Sequence, residues 1–288
     1  MTTFAAKAEL RRRFAEARRA RSEAARIVAR AQIAAHLLDT LTTLARERPV
    51  RVRQTSPLTV CMYLPLPSEP LPPRLAADLV DAGIRVLAPI ATAGQPLDWC
   101  VIDSDGLPDS DGLPGASGAF VTGSFGLLEP TGPRLGPAAI RGADVVLTPA
   151  LAVDSAGIRL GRGGGHYDRS LALLREADEA TKTPGPSAPH APPKLRPGAR
   201  PENSVIPGSD ARVIAVLFDG EIVAELPREP HDVPVTDIVT PEFGLCHIPG
   251  HAPDQLPRNA PGRASVGARN TARRRNVAKV DVHGAKST

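Results

Sequence analysis

Between Asp144 and Arg169 the chain reads DVVLTPALAVDSAGIRLGRGGGHYDR, an apolar strand that passes through a turn into a glycine cluster and then an aspartate. Gly161, Gly163, Gly164 and Gly165 lack the Cβ atoms that would keep backbone amides away from a polyphosphate. Arg159 and Arg162 stand beside them, and Tyr167, Asp168 and Arg169 fall in the first turns of the helix that follows. The amino end of that helix is electropositive and tolerates anions. A carboxylate there is the hard oxygen ligand that Mg²⁺ prefers, or else a helix-start charge that satisfies free amides. Tyr167 packs against a flat ligand or into the core. Far upstream, Lys7 and Arg11 are four residues apart, so a helix places them on one face where both could reach the same phosphates. A glycine-rich hairpin turn, with Lys7 one solvated cation among many, is the competing reading of these residues.

Such groups need elements to hold them. From Ala5 to about Arg21 the pattern puts Leu10, Phe14 and Ala17 on one helical face, and Ser22 caps a second helix reaching about Arg46. Leu58 to Leu64 reads as the first buried strand, ended by prolines, with Glu69 on the loop leaving its carboxyl end. A helix over 72–82 stopped by Gly83, a strand over 84–90 and an edge strand over 97–102 follow. Residues 103–118 read as a loop beside the site, Val145 to Leu147 as another parallel strand, and Ala211 to Asp219 as the last long one. Strands alternating with helices predict an α/β fold: a three-layer, Rossmann-like, mostly parallel sheet with helices on both faces, preceded by a helical pair. Ligands of such sheets bind beyond the carboxyl ends of the strands, where Glu69 and the glycine loop both project.

Composition is uneven. Residues 183–207 hold eight prolines and few apolar partners, so a Pro-rich, disordered insertion is expected at about 179–210. From Cys246 to Thr288 there are eight Lys or Arg against two Asp and no aromatic residue. That stretch therefore accounts for the whole net charge of +4, and it reads as a basic, disordered tail with no specific nucleic-acid partner. One folded domain over residues 1–245 remains. Cys61, Cys100 and Cys246 lack paired ligand spacing, which excludes a zinc ribbon or a disulfide framework. No run approaches the roughly twenty apolar residues of a membrane helix, and the amino end lacks a secretory signal's apolar segment, so a cytoplasmic protein is expected.

The string RLGRGGGHYDRSLALL, preceded by VVLTPALAVDSAG, resembles the signature of the 5-formyltetrahydrofolate cyclo-ligases, or 5,10-methenyltetrahydrofolate synthetases. Three further pieces agree in the same order: KAELR from Lys7 to Arg11, YLPLPSEP around Glu69, and LPREPHDVPVTDIVTPEFG from Leu226 to Gly244. The resemblance implies a monomeric enzyme that takes 5-formyltetrahydrofolate, with ATP as co-substrate and Mg²⁺ as cofactor, and releases ADP and phosphate. ATP would phosphorylate the formyl oxygen, and N10 would attack the activated carbon. Carried over residue by residue, it implies a nucleotide site of Lys7, Arg11, Arg159, Leu160, Gly161, Arg162, Gly163, Gly164, Gly165, His166 and Tyr167. Lys7, Arg162 and Tyr167 would be catalytic; Leu64, Glu69, Glu129 and Tyr167 would contact the folate; Asp168 and Asp232 would hold the metal. His166 stands where the family often has an aromatic residue, and is given no catalytic role. His231 and Asp232, being adjacent, are expected to point apart and not to act as a relay. On its own, Glu69 in a proline-flanked loop would be expected at the surface. A non-catalytic folate or nucleotide-binding regulator, its basic tail touching RNA, is the alternative; an isomerase or transferase of phosphorylated substrates is another.

Overall fold

A computed structural model describes residues 2–102, 119–123, 126–182 and 211–248, all of which fall within the compact unit Met1–Leu256. Most of the expected Pro-rich insertion, the loop over 103–118 and the chain beyond 248 lie outside the described residues. Along the chain run α1 (Thr3–Ala20), α2 (Glu23–Glu47), α3 (Val50–Thr55), β1 (Thr59–Met62), α4 (Leu75–Asp81), β2 (Arg85–Ile90) and β3 (Asp98–Ile102). Then come β4 (Phe120–Thr122), β5 (Leu128–Pro130), a 3-10 turn (Pro137–Gly142), β6 (Val145–Pro149), β7 (Ala152–Asp154), β8 (Arg159–Leu160) and α5 (His166–Lys182). The last elements are β9 (Arg212–Val216), β10 (Ile222–Val223), β11 (Asp237–Thr240) and β12 (Gly244–His247).

Seven strands make the main sheet, in the order β12-β11-β9-β6-β1-β2-β3. The five central strands are parallel, and both edges are antiparallel. Side chains alternate between two apolar layers, as strand pleating requires. Val60, Met62, Val145, Leu147, Ile214 and Val216 face α2 and α4, which supply Ile33, Leu37, Leu41, Leu75 and Leu79. Cys61, Leu87, Val146, Val213 and Ala215 face α5 and the 3-10 turn, which supply Leu171, Leu174 and Ile140. Each fully buried leucine or isoleucine in these layers contributes about 1.5–3 kcal/mol. The expected three-layer α/β architecture is therefore what the chain builds.

The helical pair begins and ends where its caps are. Thr2 Oγ1 accepts from Ala5 N at 3.4 Å, and Ser22 Oγ accepts from Ala25 N at 3.2 Å. Gly83, at φ +76°, follows α4 in the left-handed conformation that closes a helix. α1 packs through Phe14 and Leu10 on a second sheet, β10-β7-β8, with Leu151, Ile158, Leu160 and Leu226 completing that small core.

Three expectations need correction. The strand expected at 211–219 is shorter, β9 at Arg212–Val216, and the sheet goes on beyond it: β11 adds parallel to it and β12 turns back antiparallel at the edge. The expected tail boundary at Cys246 consequently falls inside β12, which continues to His247, because Ile238 and Cys246 pair across the ladder. At the other gap, α5 runs through Lys182, past the expected start of the insertion at 179.

Candidate active site

A cavity of about 460 Å³ opens beyond the carboxyl ends of β1, β2 and β6, whose last residues or their followers, Tyr63, Leu64, Pro89, Ala91 and Pro149, line it. Every residue expected at a site from the sequence lines this one cavity: Lys7, Arg11, Leu64, Glu69, Glu129, Arg159, Leu160, the loop 161–165, His166, Tyr167, Asp168 and Asp232. They come from α1, the loops after β1 and β8, β5, the start of α5 and the segment before β11.

Lys7 is not the solvated cation that its arginine-rich helix suggests. It is buried, and Nζ donates to Asp232 Oδ2 at 2.7 Å, Asp232 Oδ1 at 3.0 Å and Glu229 Oε2 at 2.7 Å. Desolvation pulls its pKa down, but hydrogen bonds and charge from Asp232 and Glu229 outweigh it, leaving the ammonium above its usual value. α1 is held in place by its other end. Arg18, on the same face eleven residues on, makes a buried bidentate pair with Glu221, both bonds at 2.7 Å, and donates to Ala150 O at 2.6 Å. Between them Arg11 Nε donates to Gly161 O at 2.9 Å, so α1 lies directly against the glycine loop.

In that loop two residues need glycine for conformation. Gly163 has φ +104° and Gly165 φ +64°, and a Cβ on Gly163 would also approach the Arg11 guanidinium at 3.5 Å. The turn before it is fixed by Asp154, whose carboxylate accepts from Ala156 N, Ile158 N and Leu226 N. The VDSAG part of the motif thus shapes the β7–β8 hairpin and does not face the cavity.

Arg159 is buried and divides its donors between Val233 O and Asp168 Oδ1, the latter at 2.6 Å. Its position makes it a support for Asp168 as much as a ligand contact of its own. Asp168 sits in the first turn of α5 and also accepts from Val233 N, the residue after Asp232, at 3.5 Å. The tight set of potential metal ligands found among the described residues is nevertheless a different one. Glu229, His231 and Asp232 place their ligand atoms within 4.8 Å of one another. His231 and Asp232 therefore do not point apart: Asp232 N bonds Glu229 O at 3.0 Å, so the segment is a turn and not an extended chain. Glu229 went unnoticed in the sequence because a glutamate in LPREP carries no spacing signal. Its signal is tertiary, the contact with Lys7 more than two hundred residues away.

The opposite wall is less polar. Glu69 is buried and not on the surface; Oε2 accepts from Leu66 N at 2.9 Å, and Oε1 lies 3.4 Å from Arg162 Nε. Arg30 of α2 donates to Glu69 O and Pro67 O, pinning the loop to the helical pair. Burial raises the Glu69 pKa, partly countered by the Leu66 amide and by Arg162. Glu129 is buried too, bound to Ala91 N at 3.0 Å, and Gly123 leaves the room its carboxylate fills, since a Cβ there would come within 2.2 Å of Glu129 Cδ. Tyr63 and Tyr167 bring hydroxyls that are buried and without a hydrogen-bond partner, and burial holds both phenols well above their usual pKa. His166 Nδ1 lies 3.1 Å from Gln95 O, turned to the loop before β3.

Comparison with known proteins identifies the family. Residues 3–185 match the model of the 5-formyltetrahydrofolate cyclo-ligase family, and the Glu229–Asp232 turn lies beyond the matched stretch. A 5-formyltetrahydrofolate cyclo-ligase of Mycolicibacterium smegmatis is 37% identical over 195 residues, which is 66% of this chain and 77% of that protein. Two solved structures share the fold. A 5,10-methenyltetrahydrofolate synthetase of Aquifex aeolicus superposes with a TM-score of 0.53 at 19% identity, over 88% of this chain and 97% of that one. One from Mycoplasma pneumoniae gives 0.50 at 16%, over 82% and 99%. With 183 contiguous residues under the family model and a cavity that gathers the motif residues, the chain belongs to the 5-formyltetrahydrofolate cyclo-ligase family and is an enzyme of the ligase class.

Proposed function

We propose that the protein closes 5-formyltetrahydrofolate to 5,10-methenyltetrahydrofolate at the expense of ATP, releasing ADP and phosphate. A single arrangement supports this most. One cavity has a cationic, glycine-rich wall and a largely apolar wall with a buried carboxylate, and Arg162 spans them, its Nε 3.4 Å from Glu69. The triphosphate lies along the amides of 161–165 with Lys7, Arg11 and Arg162 around it, and the pterin lies against Tyr63, Leu64 and Tyr167. Glu69 accepts hydrogen bonds from the aminopyrimidine edge, a role that suits a buried acceptor already oriented by the Leu66 amide. Glu129 flanks the same pocket.

The formyl group is a poor electrophile and its oxygen a poor leaving group. Transfer of the γ-phosphoryl to that oxygen makes it a phosphate ester and frees ADP; N10 then attacks the carbon and gives up its proton to the departing phosphate, which leaves with the oxygen. The chain's part is to hold the two reactants in line and to oppose the charge that moves onto the phosphoryl oxygens. Lys7 and Arg162 supply positive charge, and Tyr167 packs against the reacting face. Asp168 and Asp232, with Glu229 beside the latter, offer the carboxylate oxygens that Mg²⁺ requires, and the ion would neutralise the triphosphate when bound. Arg159 keeps Asp168 oriented through their 2.6 Å contact.

Incubation with 5-formyltetrahydrofolate and Mg·ATP, followed by near-ultraviolet absorbance and by phosphate release, tests the assignment. Growth of the methenyl chromophore with equimolar phosphate is expected. Binding of both ligands by calorimetry with a flat absorbance trace would instead indicate a regulator that has lost the chemistry.

A further inference from the structure

Phe4 is the most exposed large apolar residue among those described, at 74%, yet it lines the cavity. The chain has only nine aromatic residues, and Phe243, the other exposed phenylalanine among the described residues, is not in the cavity wall. A lone exposed phenyl ring is ordinary on a protein surface; what marks Phe4 is its place in the lining of the cavity.

The contacts already described set an order along the cleft. Glu69 meets Arg162, the neighbouring Gly161 carbonyl receives Arg11, and Lys7 and Phe4 follow on the same face of α1. Phe4 lies seven residues before Arg11, about 10 Å along the helix axis at 1.5 Å per residue. If the pterin sits at the Glu69 end, the γ-phosphate must be nearest to it, so the triphosphate runs outward past Arg11 and Lys7. The group that leaves the cleft beyond Lys7 is then the nucleoside. From this, and resting on the ATP reading above, we propose that Phe4 is the stacking platform for the nucleobase of the co-substrate. A flat π-face at that position binds bases by stacking and gains most of its favourable area only when the base is present.

The ring is exposed, so replacing it leaves the fold intact, which circular dichroism and the melting temperature check. Calorimetry compares wild type and Phe4→Ala with ADP, with inorganic triphosphate and with 5-formyltetrahydrofolate. The expected result is a roughly tenfold rise in the Kd for ADP, the order of one lost base–aromatic stack, with triphosphate and folate unchanged. Phe4→Trp should keep ADP affinity and show fluorescence quenching with ADP but not with triphosphate, because the chain's other tryptophan, Trp99, is fully buried. An unchanged ADP Kd in Phe4→Ala, an equal loss for triphosphate, or a loss for the folate alone would overturn the stack. Wild type that binds neither ADP nor triphosphate would overturn the nucleotide reading itself, and the stack with it.

Discussion

At the residue scale, burial of Glu69 has a consequence for stability. Its pKa is raised in the folded state, chiefly by desolvation, so the native protein holds that proton more tightly than the unfolded chain. The stability that this brings is complete below the ordinary glutamate value of about 4.3 and is lost as pH climbs through the raised one. Glu69→Gln keeps an acceptor for Leu66 N without that loss. Its melting temperature should therefore exceed that of wild type at neutral pH, the gap closing as pH is lowered past the glutamate range, while turnover falls. A gap independent of pH, read by scanning calorimetry, would show that the carboxylate is not destabilised by its site. Asp168 is paired with Arg159. Asp168→Asn retains Oδ1 as an acceptor, so a loss of about 1–3 kcal/mol is expected, against a drop in turnover on the order of 100-fold or more. A lowered urea midpoint with turnover kept at the wild-type level would make Asp168 structural.

At the scale of elements, α1 delivers Lys7 and Arg11 but is anchored by Arg18 and Phe14. The Arg18–Glu221 pair is buried on both sides, and Phe218 N also donates to Glu221 at 2.8 Å. Removing one partner leaves an uncompensated charge in a low-dielectric place. Glu221→Ala should cost about 3–5 kcal/mol in urea unfolding, and on the proposed function it should raise the KM for ATP more than that for folate, since α1 carries the wall proposed for the nucleotide. The same substitution giving a surface-like effect below about 1 kcal/mol would mean α1 does not depend on this anchor. The loop after β1 has its own anchor in Arg30, which ties α2 to the Glu69 wall. Both walls of the cavity thus hang from the helical pair.

At the scale of the molecule, the main sheet ends in β12, whose pairing with β11 covers Asp237 to Thr240. Ending the chain after Ile248 should leave turnover and melting temperature unchanged. Ending it before Cys246 removes half of the edge ladder and should lower the melting temperature by several degrees. Equal behaviour of the two truncations would show that the edge contributes nothing. Folding is also what makes the site: Lys7 and Asp232 are separated by 225 positions and share two hydrogen bonds.

Local rules were sufficient for much of this protein. The cap at Ser22, the glycine after α4, the short apolar strands and the glycine loop were all legible, because each depends on neighbours within a few residues. The motif residues that the sequence singles out also line one cavity. Tertiary structure alone decided the rest. It buried Lys7 and Glu69, which would be solvated by their local surroundings, and it gave Arg159 to Asp168 as a support. It also turned Glu229, His231 and Asp232 toward one point and extended the sheet through β12. Burial and pairing of charges depend on which distant segments close over them, and that is a property of the packed chain.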